Sequence, residues 1–393
     1  MQERWDHRAD LAEQAVAERH AARLWGIPRT NLAVIAWPPT SRDKIFFRWH
    51  YWWQAHYIDC QVDAAQRRST RLRLGQIRRT IRGMRLRNFG RLTANNYYDD
   101  KAWLALALER TENLRKYGTV RYRDALEENI LDGIDPLTGV LPWRSNETFY
   151  NVPTNGPAAI LAARTGRLDV ARRLTDWVFE TLINDDGLVL DGLRMRMHGP
   201  EQETAVHPYC QGVMIGACVE IARAMREEAG VGPDEVSPVG VEYITRAQGL
   251  VRAVARSMAT RDNVIDWRTG GGDGGLFKGI LARYLALAAV ALPGEDRSTR
   301  ETRRLAGQLV TASAGSVWMH RLEVDGLPVF PSDWTADAVL PQSGGLVGAT
   351  IAGAGPVTDR ATRPLLIGHP HGGRGAEAAL TGVFRDVAGV LQA

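Results

Sequence analysis

Lysine is scarce in this chain. Of its 49 basic residues only Lys44, Lys101, Lys116 and Lys278 are lysine, and all the others are arginine. The 45 acidic residues leave a formal net charge of +4. We attribute the arginine bias to genome base composition, and a charge this small does not by itself indicate a polyanionic partner.

Cysteine is also scarce, with Cys60, Cys210 and Cys218 and no Cys-x-x-Cys pair. Cys210 and Cys218 are eight residues apart on one predicted helix, which is too far for a disulfide. We therefore expect three buried free thiols, which is typical of a reducing compartment.

Several sequence signals are missing altogether. Residues 1–6 are polar and charged, without the apolar stretch of a signal peptide. No run approaches 18 apolar residues, so we expect no membrane-spanning helix and a cytoplasmic protein. There is no G-x-S-x-G, no H-E-x-x-H and no dinucleotide fingerprint in a βαβ setting, which removes the corresponding hydrolase and dehydrogenase templates.

Helical periodicity fills most of the chain. Apolar residues at i, i+3, i+4 and i+7 predict a succession of helices. They cover 4–24, 45–66, 71–87, 98–117, 121–132, 155–165, 168–184, 207–228, 239–259, 275–291, 298–314 and 376–391. No linker divides them, so residues 1–393 are predicted to form a single all-α domain. An (α/α)6 barrel of six helical hairpins fits the count, and an irregular α-solenoid fits nearly as well.

The C-terminal quarter departs from this pattern. Residues 316–375 are rich in glycine and aromatic residues and predict long loops with a short hairpin. His369 and His371 have a spacing that could bind a metal, but no carboxylate cluster matches them. We interpret that segment as a loop and predict no metal site and no cofactor.

One stretch carries the strongest chemical signal: two amides, two aromatic residues and two aspartates, from Asn95 to Asp100. Asn95 or Asn96 is a candidate N-cap for the helix that follows. Asp99 and Asp100 then lie in or just before its first turn, about 100° apart around the axis, and can border one pocket. A carboxylate pair is the equipment of glycoside hydrolysis. Ordinary helix capping explains the same residues.

Three further stretches combine aromatic and amide side chains. Residues 49–59 place Trp49, Trp52, Trp53 and His56 on one helical face, which is either a core stripe or a stacking surface for sugar rings. Residues 141–156 and 209–217 carry similar mixtures, typical of a pocket wall or of a loop before a helix. In the latter stretch, small residues such as Gly212 and Gly216 would let two helices approach closely.

A glycine-rich run at 270–275 precedes Lys278. A phosphate-binding loop is excluded in detail, because Gly279 follows the lysine where Ser or Thr is required and no strand precedes the run. We expect instead a rim loop that presents Asp273 and Lys278 at the start of a helix.

Together these motifs resemble glycoside hydrolase family 76, the α-1,6-mannanases, over about residues 45–290. The resemblance rests on Tyr51–His56, Asn96–Trp103, Pro142–Arg144, Asn155–Ala159, Asp191–Gly192, Tyr209–Val213 and Leu276–Ile280, in that order. It implies an (α/α)6 barrel and retaining, endo-acting hydrolysis of α-1,6-mannan. By the same resemblance Asp99 is the nucleophile and Asp100 the acid/base.

The stretches and the resemblance together give the candidate substrate-binding residues. They are Trp53, His56, Asn96, Tyr97, Tyr98, Trp143, Arg144, Asn155, Tyr209, Gln211, Asp273 and Lys278. Trp53, Tyr98, Trp143 and Tyr209 in particular are expected to line the cleft that holds Asp99. The expected substrate is mannan or a lipid-linked mannoside, and the protein is expected to be a monomer.

Residues Arg67–Arg91 hold ten arginines, and no acidic residue occurs between Asp63 and Asp99. Leu74, Ile77, Ile81 and Met84 follow helical spacing, so the segment predicts a basic amphipathic helix that can bind an anionic membrane surface. A solvated helix explains the arginines equally well. No nucleic-acid-reading module accompanies them, so we expect no nucleic-acid partner.

Three other functions fit parts of the pattern. A transglycosylase would use the same covalent intermediate on the same substrates. A catalytically inactive carbohydrate-binding or scaffold protein would keep the pocket without turnover. An all-α terpenoid synthase also carries an Asp-Asp motif, but it requires a third acidic residue that Lys101–Leu104 does not supply.

Overall fold

The computed structural model describes residues 2–114, 118–235, 237–269 and 272–340. Helices dominate this part of the chain. They are α1 (Gln2–His20), α2 (Ser41–Lys44), α3 (Tyr51–Arg67), α4 (Arg71–Arg87), α5 (Tyr98–Glu112), α6 (Val120–Leu131), α7 (Val152–Arg164), α8 (Leu168–Thr181), α9 (Pro208–Glu228), α10 (Val241–Ser257), α11 (Gly274–Ala291) and α12 (Arg297–Met319), with a 3₁₀ turn at Leu24–Gly26.

The helices pair as consecutive hairpins. An inner row runs α3, α5, α7, α9 and α11, and each of these packs on its neighbour in the row or on the helix that follows it in the chain. The outer partners are α4, α6, α8, α10 and α12. The all-α (α/α)6 prediction is confirmed. The predicted helix at 376–391 and the histidines at 369 and 371 lie outside the described residues, and the single-domain assignment stays a prediction.

Close approach of α9 and α11 explains the small residues of α9. A Cβ at Gly212 would lie 2.8 Å from Leu281 Cα, and one at Gly216 would lie 2.4 Å from the ring of Tyr284. Side chains larger than hydrogen would therefore separate the two helices. This agrees with the prediction from the sequence.

Helix α11 has the length and apolar composition of a membrane span, although most of it is buried inside the protein. The expectation that no segment would have these properties was wrong. An inner helix that is contacted on all sides is apolar all round, and composition alone does not separate it from a membrane span.

Short strands complete the described chain. They are β1 (Ala21–Ala22), β2 (Leu32–Ala33), β3 (Phe149–Asn151), β4 (Leu190–Arg196), β5 (Gly199–Val206), β6 (Leu322–Val324) and β7 (Leu327–Val329). Strands β3, β4 and β5 form an antiparallel sheet in that order. The sequence had indicated only a short strand near 187–191. The β6–β7 hairpin confirms the predicted hairpin after residue 316.

Several predicted helix boundaries were wrong: the helix predicted at 98–117 ends at Glu112, and the one predicted at 298–314 continues to Met319. The first helix ends at His20 rather than residue 24, because the chain then pairs Ala21–Ala22 with Leu32–Ala33. The helix predicted at 45–66 begins only at Tyr51. His50, at its N-cap, has a φ of 44°, which is outside the helical region and breaks the helix there.

Three inner helices, α3, α7 and α9, carry an amide side chain as their fourth residue. These residues are Gln54, Asn155 and Gln211. Each amide oxygen accepts from the backbone N–H of one residue in a preceding segment, and each amide nitrogen donates to the carbonyl of that same residue, at 2.8–2.9 Å. The clamped residues are Ala33, Leu141 and Val189. We call these contacts the amide clamps. They fix the segments that border the N-terminal ends of the inner helices.

Buried ion pairs link the inner helices farther along their axes. Arg110 of α5 and Arg283 of α11 both bind Asp59 and Asp63 of α3. Arg164 of α7 binds Glu109 of α5 and Glu220 of α9. These pairs lie two to three turns, roughly 12–18 Å, from the N-terminal ends of their helices. The N-terminal ends themselves are left to form the site.

Candidate active site

The first turn of α5 presents two carboxylates. The helix begins at Tyr98 with Tyr97 as its N-cap, so Asp99 and Asp100 are its second and third residues. A helix N-terminus favours negative charge at these positions. The cap predicted at Asn95 or Asn96 was wrong, because the Asn95 Oδ1 accepts the Tyr97 N–H at 2.9 Å in a turn before the helix.

Asp99 is positioned by the indole of Trp143. Trp143 Nε1 donates to Asp99 Oδ2 at 3.1 Å. The tryptophan is fixed in turn, since its backbone N–H donates to Phe149 O at 2.7 Å and its carbonyl accepts from Tyr98 N at 3.0 Å. Asp99 Oδ1 is buried and has no hydrogen-bond partner within the described protein.

Asp100 has different partners. Asn95 Nδ2 donates to Asp100 Oδ2 at 2.6 Å, and the backbone N–H of Trp52 also donates to this carboxylate. The asparagine next to the catalytic candidates thus positions Asp100 instead of capping the helix. The sequence did not indicate this role, although Asn95 opens the stretch with the strongest chemical signal.

A third carboxylate comes from the start of α11. Asp273 Oδ1 accepts from Trp53 Nε1 at 2.7 Å and from Trp52 Nε1 at 3.2 Å. Its negative charge is close enough to raise the pKa of both Asp99 and Asp100. The sequence predicted Asp273 on the rim, but it did not show that Trp52 would hold it there.

Burial and mutual repulsion keep protons on this cluster. Burial, joined by the charge of Asp273, raises the pKa of Asp100 to about 7, against the hydrogen bond from Asn95. Burial and then the charge of Asp100 raise the pKa of Asp99 well above its usual range. Neighbouring carboxyl groups of this kind share a proton at neutral pH, and the pair titrates as a unit.

Aromatic side chains form one wall beside the carboxylates. Tyr209 stacks on Phe277 at 4.2 Å between ring centroids, and the His207 ring lies 5.2 Å from Phe277. The charge of Asp99 contributes to the raised pKa of Tyr209, after burial. Phe277 and His207 were not among the predicted site residues. Their signal, aromatic residues at the start of α11 and before α9, is indistinguishable from core packing in the sequence.

Beside Tyr209, Cys210 Sγ lies 3.9 Å from Asp191 Oδ1, where burial raises the pKa of Asp191 to about 7. Gly192 next to it has no room for a side chain, because a Cβ would lie 2.6 Å from Tyr150 O. All three cysteines are buried and free, as predicted.

Of the four aromatic residues expected to line the cleft, two donate to a carboxylate: Trp143 to Asp99 and Trp53 to Asp273. Burial raises the pKa of the third, Tyr209, and the charges of Cys210, Asp191, Asp99 and Asp273 add to it. Tyr98 turns away toward α6. The Lys101 Nζ lies 3.9 Å from the centroid of its ring, and a Cβ at Gly133 would meet the ring at 2.3 Å.

Several predicted contact residues are structural. Asn155 and Gln211 are fully buried, and their amide groups form the hydrogen bonds of the amide clamps. Lys278 is buried and donates to Ser332 O at 2.7 Å, beside the ring of Trp334. The contact of these three side chains with substrate stays a prediction, and in the described structure their amide and ammonium groups bond backbone carbonyls and N–H groups instead.

His56 packs against two tryptophan rings near the site. Its ring is 5.4 Å from Trp52 and 4.6 Å from Trp103, measured between centroids. Burial lowers its pKa to about 4, so it is neutral at physiological pH. Its contact with a sugar hydroxyl stays a prediction, and in the described structure its ring packs against Trp52 and Trp103.

The outer rim holds the remaining candidates. Arg144 donates to the hydroxyl of Tyr97 at 3.3 Å and pairs with Glu147 at 2.8 Å. The Tyr97 ring meets Trp143 edge-on at 4.8 Å. Asn96 is exposed, and its carbonyl accepts from Ser145 N at 2.9 Å. These residues surround the approach to Asp99 without touching the carboxylate.

Among the described residues, no group of three or more His, Cys, Asp and Glu side chains is arranged to hold a metal ion. Asp99, Asp100 and Asp273 instead interact with indole and amide N–H groups. Such a site is suited to acid–base and nucleophilic chemistry by the carboxylates themselves.

The fold and the site together define a helical-hairpin barrel with paired carboxyl groups at the start of an inner helix. Comparison with known families places it more narrowly: the model of glycosyl hydrolase family 76 matches residues 35–324. The chain belongs to this family and is a glycoside hydrolase, as the resemblance in the sequence predicted. A search of curated proteins gave no match.

Solved structures share the fold over nearly the whole chain. The α-1,6-mannanase GH76A of Salegentibacter sp. HEL1_6 is 21% identical, with a TM-score of 0.75 over 98% of this chain and 99% of that one. The Lin0763 protein of Listeria innocua is 22% identical, with a TM-score of 0.73 over 98% and 97%. The family 76 mannosidase Bt3792 of Bacteroides thetaiotaomicron VPI-5482 is 14% identical, with a TM-score of 0.68 over 99% of each chain.

Proposed function

We propose that the enzyme cleaves α-1,6-linked mannose, in mannan or in a lipid-linked mannoside, by an endo-acting and retaining mechanism. The observation that carries the proposal is the pair Asp99–Asp100 in the first turn of α5, with Trp143 on one carboxylate and Asn95 on the other. A structural neighbour supports it. The Salegentibacter α-1,6-mannanase was solved as an inactive variant with two adjacent aspartates replaced by alanine, in complex with α-1,6-mannotetrose.

Adjacent residues on one helical turn favour retention. A retaining enzyme needs its two carboxyl groups about 5–5.5 Å apart, whereas an inverting one leaves roughly 6.5–9.5 Å for a water molecule. In the first step Asp99 attacks the anomeric carbon while Asp100 gives its proton to the departing glycosidic oxygen. In the second step Asp100 takes a proton from water, and the water oxygen displaces Asp99 from the same carbon.

The free site holds a proton on the carboxyl pair, because burial raises the pKa of Asp99 well above its usual range and that of Asp100 to about 7, and these shifts alone do not assign the proton to Asp100. One shared proton at neutral pH supplies the acid, and the other carboxylate supplies the nucleophile. Asp273 contributes a nearby negative charge that keeps the proton on the pair and suits a cationic, oxocarbenium-like transition state. Trp53, Trp143 and Tyr209 give the apolar surfaces on which sugar rings stack.

The stereochemical outcome and a rescue experiment test the roles. Wild-type enzyme with linear α-1,6-mannan should release α-configured product. Asp99→Ala should abolish turnover of every substrate. Asp100→Ala should still form the intermediate from a mannoside with a good leaving group, and azide should then yield the α-mannosyl azide. If azide instead rescued Asp99→Ala and gave the β-mannosyl azide, Asp99 would be the acid/base and Asp100 the nucleophile. If the wild-type enzyme released a product of inverted configuration, the two-step mechanism would be wrong.

Two alternatives use the same site. A transglycosylase would pass the mannosyl group to a second sugar, which product analysis at high acceptor concentration would reveal as longer chains. An inactive carbohydrate-binding protein would bind mannan tightly without turnover while Asp99 and Asp100 are intact. The raised pKa of Asp100 favours an enzyme, because a carboxyl group kept protonated near neutral pH is suited to general acid catalysis.

We also propose that the protein associates peripherally with an anionic membrane surface through the Arg67–Arg91 region. Two arginines of this region, Arg67 and Arg73, already form ion pairs with Asp10 and Glu13 of α1. Arg71, Arg78 and Arg82 remain exposed on α4. Exposed arginines on one helix support binding to anionic lipid.

A further inference from the structure

Four large apolar side chains are exposed together at one place on the described surface. The exposed fractions are 57% for Trp25, 56% for Ile45, 67% for Phe47 and 89% for Phe89. We call these four residues the aromatic rim. A single exposed apolar residue is ordinary, whereas a group of this size marks an interaction surface.

Arg87 connects the members of the rim. Trp25 Nε1 donates to Ile45 O at 2.8 Å. The Arg87 guanidinium lies 5.9 Å from the Trp25 ring, and its Nε donates to Phe46 O at 3.2 Å. Phe89 follows two residues later, just beyond the C-terminal end of α4. The four side chains therefore form one patch rather than scattered positions.

The backbone holds two of these aromatic residues in an unfavourable conformation. Trp25 has a φ of 48° and Phe89 a φ of 54°. A helix C-terminus commonly places glycine at such a left-handed position, because a side chain there is sterically strained. The Phe89 ring gains almost no packing in return, since nearly all of it is exposed. A strained backbone conformation that does not bury the side chain indicates that the side chain has a function.

Cations surround the aromatic rim. Residues 21–58 and 64–98, the segments from which the four rim residues come, contain a single acidic residue, Asp43. Its carboxylate accepts from the Thr40 N–H at 2.9 Å and completes the cap of α2. Exposed cations of these segments close in sequence to the rim residues are Arg23, Arg29, Arg42, Lys44, Arg48 and Arg91.

The aromatic rim adjoins the mouth of the active site. The Arg87 guanidinium lies 5.3 Å from the Trp49 ring, and that ring lies 5.5 Å from Tyr51. The residue after Tyr51 is Trp52, whose backbone N–H donates to the Asp100 carboxylate, so this end of α3 borders the carboxylate pair. A flat anionic surface that met the rim would therefore lie beside the cleft.

We propose that the aromatic rim docks the barrel mouth on an anionic lipid bilayer, with its apolar side chains in the headgroup region and the surrounding cations on lipid phosphates. The inference rests on the proposed peripheral association and adds the docking surface and the orientation. Exposed Trp, Phe and Ile ringed by Arg and Lys match the interfacial anchors of peripheral proteins. A nucleic acid would use the cations and could stack bases on the aromatic rings, but it would gain little from the aliphatic Ile45. In this orientation a mannoside anchored in the same bilayer enters the cleft directly.

Co-sedimentation with vesicles of phosphatidylcholine and phosphatidylglycerol tests the proposal. The key variant is Phe47→Ala with Phe89→Gly. Glycine suits the positive φ at position 89, so this variant should keep or gain stability. Loss of two inserted phenyl groups should weaken vesicle binding about tenfold or more. Arg42→Glu with Lys44→Glu should weaken binding and remove most of its salt dependence.

Matched controls lie at the other end of the barrel. Leu72 is 73% exposed between Arg71 and Arg73 at the opposite end of α4, so Leu72→Ala should leave binding unchanged. Arg297→Glu reverses a charge that is equally exposed but remote from the rim, and it should have little effect.

The outcomes separate the two membrane proposals. No vesicle binding by the wild-type protein would overturn both. Normal binding by the Phe47/Phe89 variant, with loss in Arg78→Gln/Arg79→Gln/Arg82→Gln, would overturn the aromatic rim and keep the association through α4. Equal binding to single-stranded nucleic acid and to vesicles, insensitive to Phe47 and Phe89, would make the rim a general polyanion site and overturn the proposal.

Discussion

The indole N–H of Trp143 donates to Asp99 Oδ2 at 3.1 Å, which joins the loop before β3 to the first turn of α5. Trp143→Phe removes this donor but keeps a ring for packing against Tyr97 and Phe149. A hydrogen bond to a charged group is worth about 1.5–3 kcal/mol, so kcat/KM should fall roughly 10- to 100-fold. Steady-state kinetics on α-1,6-mannan measure this. Trp177→Phe, on the outer helix α8, should retain wild-type activity.

The charge of Asp273 should determine the pH above which kcat/KM falls. The first step needs Asp100 protonated, so kcat/KM should fall as pH rises through about 7. Asp273→Asn removes the negative charge and keeps an oxygen that accepts from Trp52 and Trp53. The pKa of Asp100 should drop, and the fall in kcat/KM should move to lower pH. An unchanged profile would show that Asp273 does not act on Asp100, and Asp186→Asn on an exposed turn is the control.

The same raised pKa predicts a cost in stability. The pKa of Asp100 is about 7 in the folded protein against an ordinary value of 3.8. Between these values the folded state binds more protons than the unfolded state, so wild-type stability falls as pH rises. Asp100→Asn should escape this loss, and its Tm advantage should grow from about pH 4 to pH 7 and then level off. Thermal unfolding across pH measures the difference. Asp185→Asn should follow the wild type at every pH.

The amide clamps should matter for stability rather than for sugar binding. Gln211→Leu leaves the Val189 N–H and carbonyl buried without partners, at about 1–3 kcal/mol for each group. The Tm should fall by several degrees. Gln308→Leu, on the exposed face of α12, should change little. If Gln211→Leu instead raised KM with an unchanged Tm, the residue would contact substrate after all.

Local sequence signals were enough for the helices and for the carboxylate pair. Helix α4 was predicted at 71–87 and is found at Arg71–Arg87, because its apolar spacing and its cap at Thr70 are encoded within the segment itself. Asp99 and Asp100 fall in the first turn of α5 for the same reason. The ordered series of motifs from Tyr51 to Ile280 also indicated the family.

Tertiary structure alone decided which polar side chains serve the site. An amide bonds a sugar hydroxyl or a backbone peptide with the same groups, so the sequence could not show that Asn155 and Gln211 clamp the chain. It likewise could not show that Trp52 and Trp53 hold Asp273, because that contact joins helices far apart in the chain. Composition and spacing describe each segment by itself. The partners of a buried polar group, and hence the pKa values at this site, depend on which segments the fold brings together.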